Sequence, residues 1–174
     1  NEHLTDEYKY GKPEDVWVGK LIDEYTEKYP GENYSFEVIH PRVSNDMNPD
    51  GLESNVYFHQ IRIAQRDFDQ ILDNIVANAV KYGFTDKDKT YCIRIMLEST
   101  TIGTQEAVRI TIVNNGNPLP KNMDGEKVLT YGQSSGKGEG LGGWQLKNIV
   151  EHYGGNVKVE PNDGSETNGF TVAY

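Results

Sequence analysis

The chain has 174 residues, 36% of them hydrophobic and 25% charged, which suits one globular domain large enough to bury a core. Its 27 acidic against 17 basic residues give a formal net charge of −10. That balance argues against a broad basic surface for a nucleic-acid backbone, so an anionic nucleotide would need Mg²⁺ and local backbone donors.

No apolar stretch approaches the ~18 residues of a membrane span, and no signal-peptide pattern follows Asn1. The lone Cys92 lies between apolar neighbours, where it is expected to pack as a small hydrophobe and cannot form an internal disulfide. A reducing, cytoplasmic setting without direct membrane contact is the expectation.

Residues 1–12 read as an N-terminal extension and residues 13–174 as the domain. Pro13 is placed to open a helix, in which Val16, Leu21, Ile22 and Tyr25 recur at helical spacing until Pro30 and Gly31 end it. Residues 34–40 alternate through Tyr34, Phe36 and Val38 as a half-buried strand does, and residues 56–63 contain a second alternating run. Residues 44–54 between them are a polar turn region.

From Asp67 onward, Phe68, Ile71, Leu72, Ile75, Val76, Ala79 and Val80 fall at three- and four-residue steps, and Gly83 offers a stop. Residues 91–97 and 107–113 are β-rich and alternating, and residues 98–106 read as the connection of an antiparallel hairpin. Residues 114–140 have little periodicity and are rich in Gly, Asn, Pro, Ser and Lys, a length of loop that usually has a function.

Leu141, Leu146, Ile149 and Val150 mark a third helix, ended by Gly154 and Gly155, with short strands at 156–160 and 170–174. Three helices and about six grouped strands favour an α+β, two-layer sandwich over a doubly wound sheet.

Three sets of residues could carry chemistry. Asn74, Asn78, Lys81 and Tyr82 fall near one stripe of the second helix. Asparagine is an indifferent helix former, so two of them at i and i+4 call for a reason. The reason is either a hydrogen-bonded pair at the core edge or an Mg²⁺ site, since an amide oxygen is a hard neutral ligand and the nearby lysine can neutralise phosphate.

Asn114-Asn115-Gly116-Asn117-Pro118 follows a strand. It reads as an ordinary Asn-Gly turn, or as an amide presented to a base that approaches Gly116 closely.

Gly136-Lys137-Gly138-Glu139-Gly140-Leu141-Gly142-Gly143 runs into the third helix, where backbone N–H groups can cradle phosphate. It is not a P-loop, because Gly132 is one residue too close and Gly138 stands where Ser or Thr is needed. A dinucleotide fingerprint is also rejected, because the preceding residues are polar and turn-like where that motif needs a buried strand. A flexible linker is the remaining alternative.

In this order the three blocks resemble the N, G1 and G2 boxes of the GHKL, or Bergerat-fold, ATPases. The blocks are Asn74-x-x-x-Asn78-Ala79-x-Lys81-Tyr82, Val113-Asn114-Asn115-Gly116 and Gly138-x-Gly140-Leu141-Gly142. The resemblance extends through Ile149-Val150-Glu151-x-x-Gly154-Gly155 to the Gly169-Phe170 strand. Members of that group include type II topoisomerases, a heat-shock chaperone, mismatch-repair ATPases and sensor histidine kinases, and the Asn-Ala-x-Lys-Tyr ending is most similar to the kinases.

The resemblance implies a mixed, mostly antiparallel sheet packed against three helices, with ATP and Mg²⁺ as ligands. Asn78 would coordinate Mg²⁺ with Asn74 beside it, and Lys81 and Tyr82 would contact the phosphates and nucleotide. Asn114 and Gly116 would take the adenine-recognition turn, where the family usually has Asp in place of Asn114. Residues 117–140 would form the lid, with Lys137 a γ-phosphate contact and Gly138, Gly140, Leu141 and Gly142 the phosphate-side hinge. Pro118 stands in place of a second glycine and Gly143 in place of a usual leucine.

ATP-hydrolysing relatives commonly carry Glu as a base four residues before the metal asparagine, where this chain has Asn74. An amide cannot accept a proton at neutral pH. Asn74 and Lys81 are therefore expected to serve phosphoryl transfer to an imidazole rather than hydrolysis.

None of His3, His40, His59 and His152 is followed by the acidic residue typical of a kinase phosphoacceptor. The acceptor is expected on a dimerisation domain of the same full-length protein, with a response regulator as indirect partner. The alternatives are a nucleotide-binding regulatory module without turnover and a GHKL ATPase.

Overall fold

The computed structural model describes residues 8–40, 59–130, 142–161 and 172–174. Their elements run β1 (Glu14–Trp17), α1 (Val18–Lys28), β2 (Tyr34–Ile39), β3 (Gln60–Ile63), α2 (Gln65–Asn78), a π turn (Ala79–Gly83), β4 (Tyr91–Ile102), β5 (Gln105–Asn114), α3 (Gly125–Val128), α4 (Gly142–His152), β6 (Glu160–Pro161) and β7 (Val172–Ala173).

A five-stranded sheet in the order β2-β4-β5-β7-β6 is parallel only between β2 and β4 and antiparallel elsewhere. The long helices α1, α2 and α4 supply the second layer. This is the expected mixed, mostly antiparallel two-layer α+β sandwich.

The layers meet through alternation on the strands and apolar stripes on the helices. Tyr91, Ile93, Ile95 and Leu97 of β4 are buried, while the residues between them are half-covered. They meet Leu21, Ile22 and Tyr25 of α1, Phe68, Leu72 and Ile75 of α2, and Leu146 of α4 in one core. Each such side chain stabilises the fold by about 1.5–3 kcal/mol through burial. The Tyr25 hydroxyl donates to Asp73 at 2.8 Å and ties α1 to α2.

Three local expectations are corrected. Residues after Pro13 form a strand, not a helix, because Glu14–Trp17 pairs antiparallel with Gln60–Ile63 and sets Val16 opposite Ile61. Proline's fixed φ suits the residue before a strand as well as a helix start. The helix begins only at Val18, whose N–H donates to the His59 carbonyl at 2.9 Å.

The hairpin strands continue through the polar stretch to Ile102 and resume at Gln105, so the connection is two residues, with Gly103 at φ +63°. The strand expected at 156–160 shrinks to Glu160–Pro161. Among the described residues, no helix is long and apolar enough to cross a membrane.

Candidate nucleotide site

On α2 the two asparagines occupy successive turns on one side. Asn74 is buried at 8% exposure and Asn78 is half-buried. The Asn74 Oδ1 accepts from Gln70 Nε2 at 3.3 Å, and its Nδ2 donates to Gln145 Oε1 on α4 at 3.2 Å.

Gly142, the first residue of α4, lies against this pair: a Cβ built on it would stand 3.8 Å from the Oδ1 of both Asn74 and Asn78. The Asn78 side chain also bonds the Tyr174 hydroxyl, whose pKa is pushed up to about 12 by burial and partly pulled back by that bond. Tyr174 is held by two backbone bonds with Ile112, at 2.8 and 3.0 Å.

The α-helix closes at Asn78, and the next turn is widened. The Phe84 N–H reaches back five residues to the Ala79 carbonyl at 2.9 Å. Widened turns of this kind are rare and recur at functional sites. This one moves Lys81 and Tyr82 off the register that regular helical spacing would give them relative to Asn78. The Lys81 ammonium lies 5.1 Å from the centre of the Tyr82 ring, on the exposed side of the turn.

Gly83 closes the widened turn directly against the turn that follows β5. A Cβ on Gly116 would meet the backbone of Gly83 at 2.6–2.8 Å, and the Asn117 N–H donates to the Gly83 carbonyl at 2.9 Å. The buried Asn114 turns its Oδ1 back to the Gly116 N–H at 3.0 Å, the local bond that makes Asn a turn residue. Asn117 Nδ2 donates to Thr85 Oγ1 at 2.7 Å, and Asn115 Oδ1 accepts from the Cys92 N–H at 2.8 Å. Burial raises the Cys92 thiol pKa, in keeping with a packing role.

Lys137, Gly138, Gly140 and Leu141 lie outside the described residues. The part of the loop that is described, residues 117–130, contains α3, capped by Asp124 Oδ1 accepting from the Lys127 N–H at 2.8 Å. A Cβ on Gly143 would fall 1.8 Å from the Val128 carbonyl oxygen. The residue that stands where leucine is usual therefore lets α4 start against the backbone of α3.

Asn74, Asn78 and Gly142 are thus brought together, and the widened turn after α2, carrying Lys81 and Tyr82, is brought to Asn114 and Gly116. The sequence alone did not point to Gln70, Gln145 or Tyr174, and it marked Gly83 only as a helix stop. Gln70 had a signal, since it precedes Asn74 by one turn on the same stripe. Gln145 is the polar neighbour of Leu146 on α4, and its partner is visible only in the tertiary structure.

Among the described residues, no group of three or more His, Cys, Asp or Glu could hold a metal by itself. The donors gathered here are neutral amides. They suit a magnesium ion that takes most of its ligands from phosphates and water, which is how this cation commonly binds with nucleotides.

The profile of the histidine kinase-, DNA gyrase B- and HSP90-like ATPases matches residues 63–174. Sensor histidine kinase WalK of Bacillus subtilis (strain 168) is 30% identical over 122 residues, which is 66% of this chain and 19% of WalK. The match thus spans about a fifth of that curated relative.

Among solved structures, the mycobacterial sensor histidine kinase MprB superposes with a TM-score of 0.63 at 18% identity, covering 95% of each chain. The catalytic domain of histidine kinase ThkA gives 0.63 at 22% identity, covering 94% of this chain and 95% of that one. The ATP-binding domain of PrrB from Mycobacterium tuberculosis gives 0.58 at 19% identity, covering 94% and 95%. At these identities the superpositions establish a shared fold, and the sequence match establishes kinship. The chain belongs to the histidine kinase-, DNA gyrase B- and HSP90-like ATPase family.

Proposed function

We propose that this domain binds Mg-ATP between α2, the turn after β5 and the N-terminus of α4, and transfers the γ-phosphoryl group to a histidine on a separate dimerisation domain. The observation that carries the reading is the packing of Gly142 against the Oδ1 atoms of Asn74 and Asn78. It sets the end of the glycine-rich segment, where α4 begins, against the asparagine helix at ordinary van der Waals distance.

In this reading Asn78 offers Oδ1 as a neutral metal ligand, and Lys81 offers a charge to the phosphates. Mg²⁺ would supply electrostatic stabilisation of the charge on the transferring phosphoryl group. Asn114 takes the position that faces the adenine, and Gly116 keeps the wall beside it thin. Lys137, Gly138, Gly140 and Leu141 complete the phosphate side.

The transfer breaks the bond from the γ-phosphorus to its bridging oxygen, forms a bond from phosphorus to an imidazole nitrogen and releases ADP. Asn74, whose amide is engaged with Gln70 and Gln145, acts by holding α4 and takes no proton. The absence of a carboxylate at that position favours transfer over hydrolysis. The kinship to a sensor histidine kinase supports the same choice. In the full-length protein the domain would sit on the cytoplasmic side of a sensor, and a response regulator would receive the phosphoryl group from the histidine.

The test is transfer of labelled γ-phosphate to a supplied histidine-bearing dimerisation domain. Label on that domain, lost in Asn78→Ala, is the expected result. Release of inorganic phosphate without labelling would move the assignment to an ATPase. The engagement of Asn114 Oδ1 by Gly116 favours a second reading, a regulatory module that binds nucleotide without turnover, which predicts binding with neither labelling nor phosphate release.

A further inference from the structure

Among the described residues one charged side chain is fully buried and has no part in the proposed nucleotide site. It is Asp67, in the first turn of α2, at 0% exposure. Its Oδ1 accepts from the Tyr8 hydroxyl at 2.7 Å, and its Oδ2 accepts from the Gly11 N–H at 3.0 Å and from the Tyr153 hydroxyl.

Arg66 lies outside it, with Nε 3.7 Å from Oδ1, its guanidinium 5.6 Å from the Tyr8 ring centre, and Nη2 donating to the Lys9 carbonyl at 2.6 Å. The Tyr10 ring stacks on His152, with centroids 3.6 Å apart and planes 5° from parallel, and meets Tyr153 edge-on at 6.2 Å. Residues 8–11, read from the sequence as an extension, are therefore strapped across the first turn of α2 and the last residues of α4.

A buried carboxylate is costly unless hydrogen-bonded, and apolar packing often stabilises as well without it. What this arrangement adds is position. Helices α2 and α4 run antiparallel and meet at three levels. Tyr153 reaches Asp67 and the Ala64 N–H at one end, Gln145 meets Asn74 in the middle, and Gly142 abuts Asn74 and Asn78 at the other. An eleven-residue α4 is a rod about 16 Å long, so a displacement imposed at Tyr153 is delivered at Gly142.

We propose that Asp67 is a positioning residue that clasps the strap of residues 8–11 to the end of α4 and, through that helix, sets how Gly142 sits against Asn74 and Asn78. The proposal rests on the reading of those asparagines as the Mg-ATP site. Tension on the strap from the segment before it would reach the nucleotide through α4, and bound nucleotide would in turn hold the strap down, because such coupling is reciprocal.

The test uses the whole chain with Tyr8→Phe, Tyr153→Phe and Asp67→Asn, read by hydrogen exchange and by Mg-ATP titration well below each variant's melting temperature. Tyr8→Phe removes one hydroxyl from the strap and touches neither asparagine. It is expected to speed exchange at residues 142–145 and to weaken Mg-ATP binding about three- to tenfold, the size of one lost hydrogen bond. Saturating Mg-ATP is expected to slow exchange at residues 8–11.

A lower melting temperature with exchange at 142–145 and affinity both unchanged would mean that the clasp only stabilises the fold, and would overturn the proposal. Should Asp67→Asn fail to fold, the two Tyr→Phe variants decide the matter. Should the wild-type chain fail to bind Mg-ATP, the nucleotide reading falls on its own and the exchange arm still decides whether the strap governs the start of α4.

Discussion

The side-chain amide of Asn74 donates to Gln145 Oε1 across 3.2 Å while accepting from Gln70 at 3.3 Å, so both its ends are committed to a chain of three amides that joins α2 to α4. Gln145→Leu leaves the Asn74 donor without that partner in a buried place, at a cost of about 1–3 kcal/mol. Replacing both residues with leucine removes the unpaired group, and part of the loss should return. Urea denaturation of the two single variants and the double variant measures this. Strict additivity would show that the bond does not couple the helices.

Gly83 and Gly116 provide a paired contrast. A Cβ at Gly116 falls within 2.6–2.8 Å of the Gly83 backbone, whereas a Cβ at Gly83 meets nothing closer than the Asn114 Oδ1 at 3.4 Å. Gly116→Ala is predicted to destabilise by about 1–3 kcal/mol through overpacking and to loosen the Asn114 turn. Gly83→Ala is predicted to cost well under half of that. Equal losses in denaturant titrations would contradict the asymmetry.

The phenol of Tyr153 is pushed up to about 12, by burial first and then by its bond to Asp67. A tyrosine near 10 in the unfolded chain and higher in the fold favours folding in its protonated form. That contribution is whole below about pH 10 and is lost as pH rises toward 12. Tyr8 is raised in the same direction by the same causes. Stability is therefore predicted to fall between those values in the wild-type chain and to fall less steeply in Tyr153→Phe, followed by denaturation at stepped pH with phenolate absorbance as the titration signal. Identical slopes would remove Tyr153 as a cause.

Helix α2 was legible because Phe68, Leu72 and Ile75 repeat at helical steps and all three are buried, a pattern that needs no knowledge of the partner. β1 was not, because proline suits either state and the pairing that decides it lies far along the chain at Gln60–Ile63. The hairpin strands were read too short because Glu98 and Arg109, paired at 3.4 Å, lie on its exposed part, where polarity looks like loop.

At the candidate site, Asn74 and Asn78 stood out because two asparagines inside an apolar helix are unusual, and Asn114, Gly116 and Gly142 because their blocks follow in a recognisable order. Gln145 and Asp67 are ordinary residues locally, and Gly83 reads there only as a helix stop. Their importance comes from what lies across from them, which spacing along the chain does not encode. The widened turn at Ala79–Gly83 is likewise invisible to a pattern that assumes one helical period.

The most direct measurement is calorimetric titration of the intact chain and of Asn78→Ala with a non-hydrolysable ATP analogue, each with and without Mg²⁺. The account predicts binding by the wild-type chain that strengthens at least tenfold on adding Mg²⁺, and a variant that keeps the Mg²⁺-free affinity but loses the gain. No heat at millimolar nucleotide from a folded wild-type chain would contradict the nucleotide site itself. An undiminished Mg²⁺ gain in Asn78→Ala would contradict the placement of the metal.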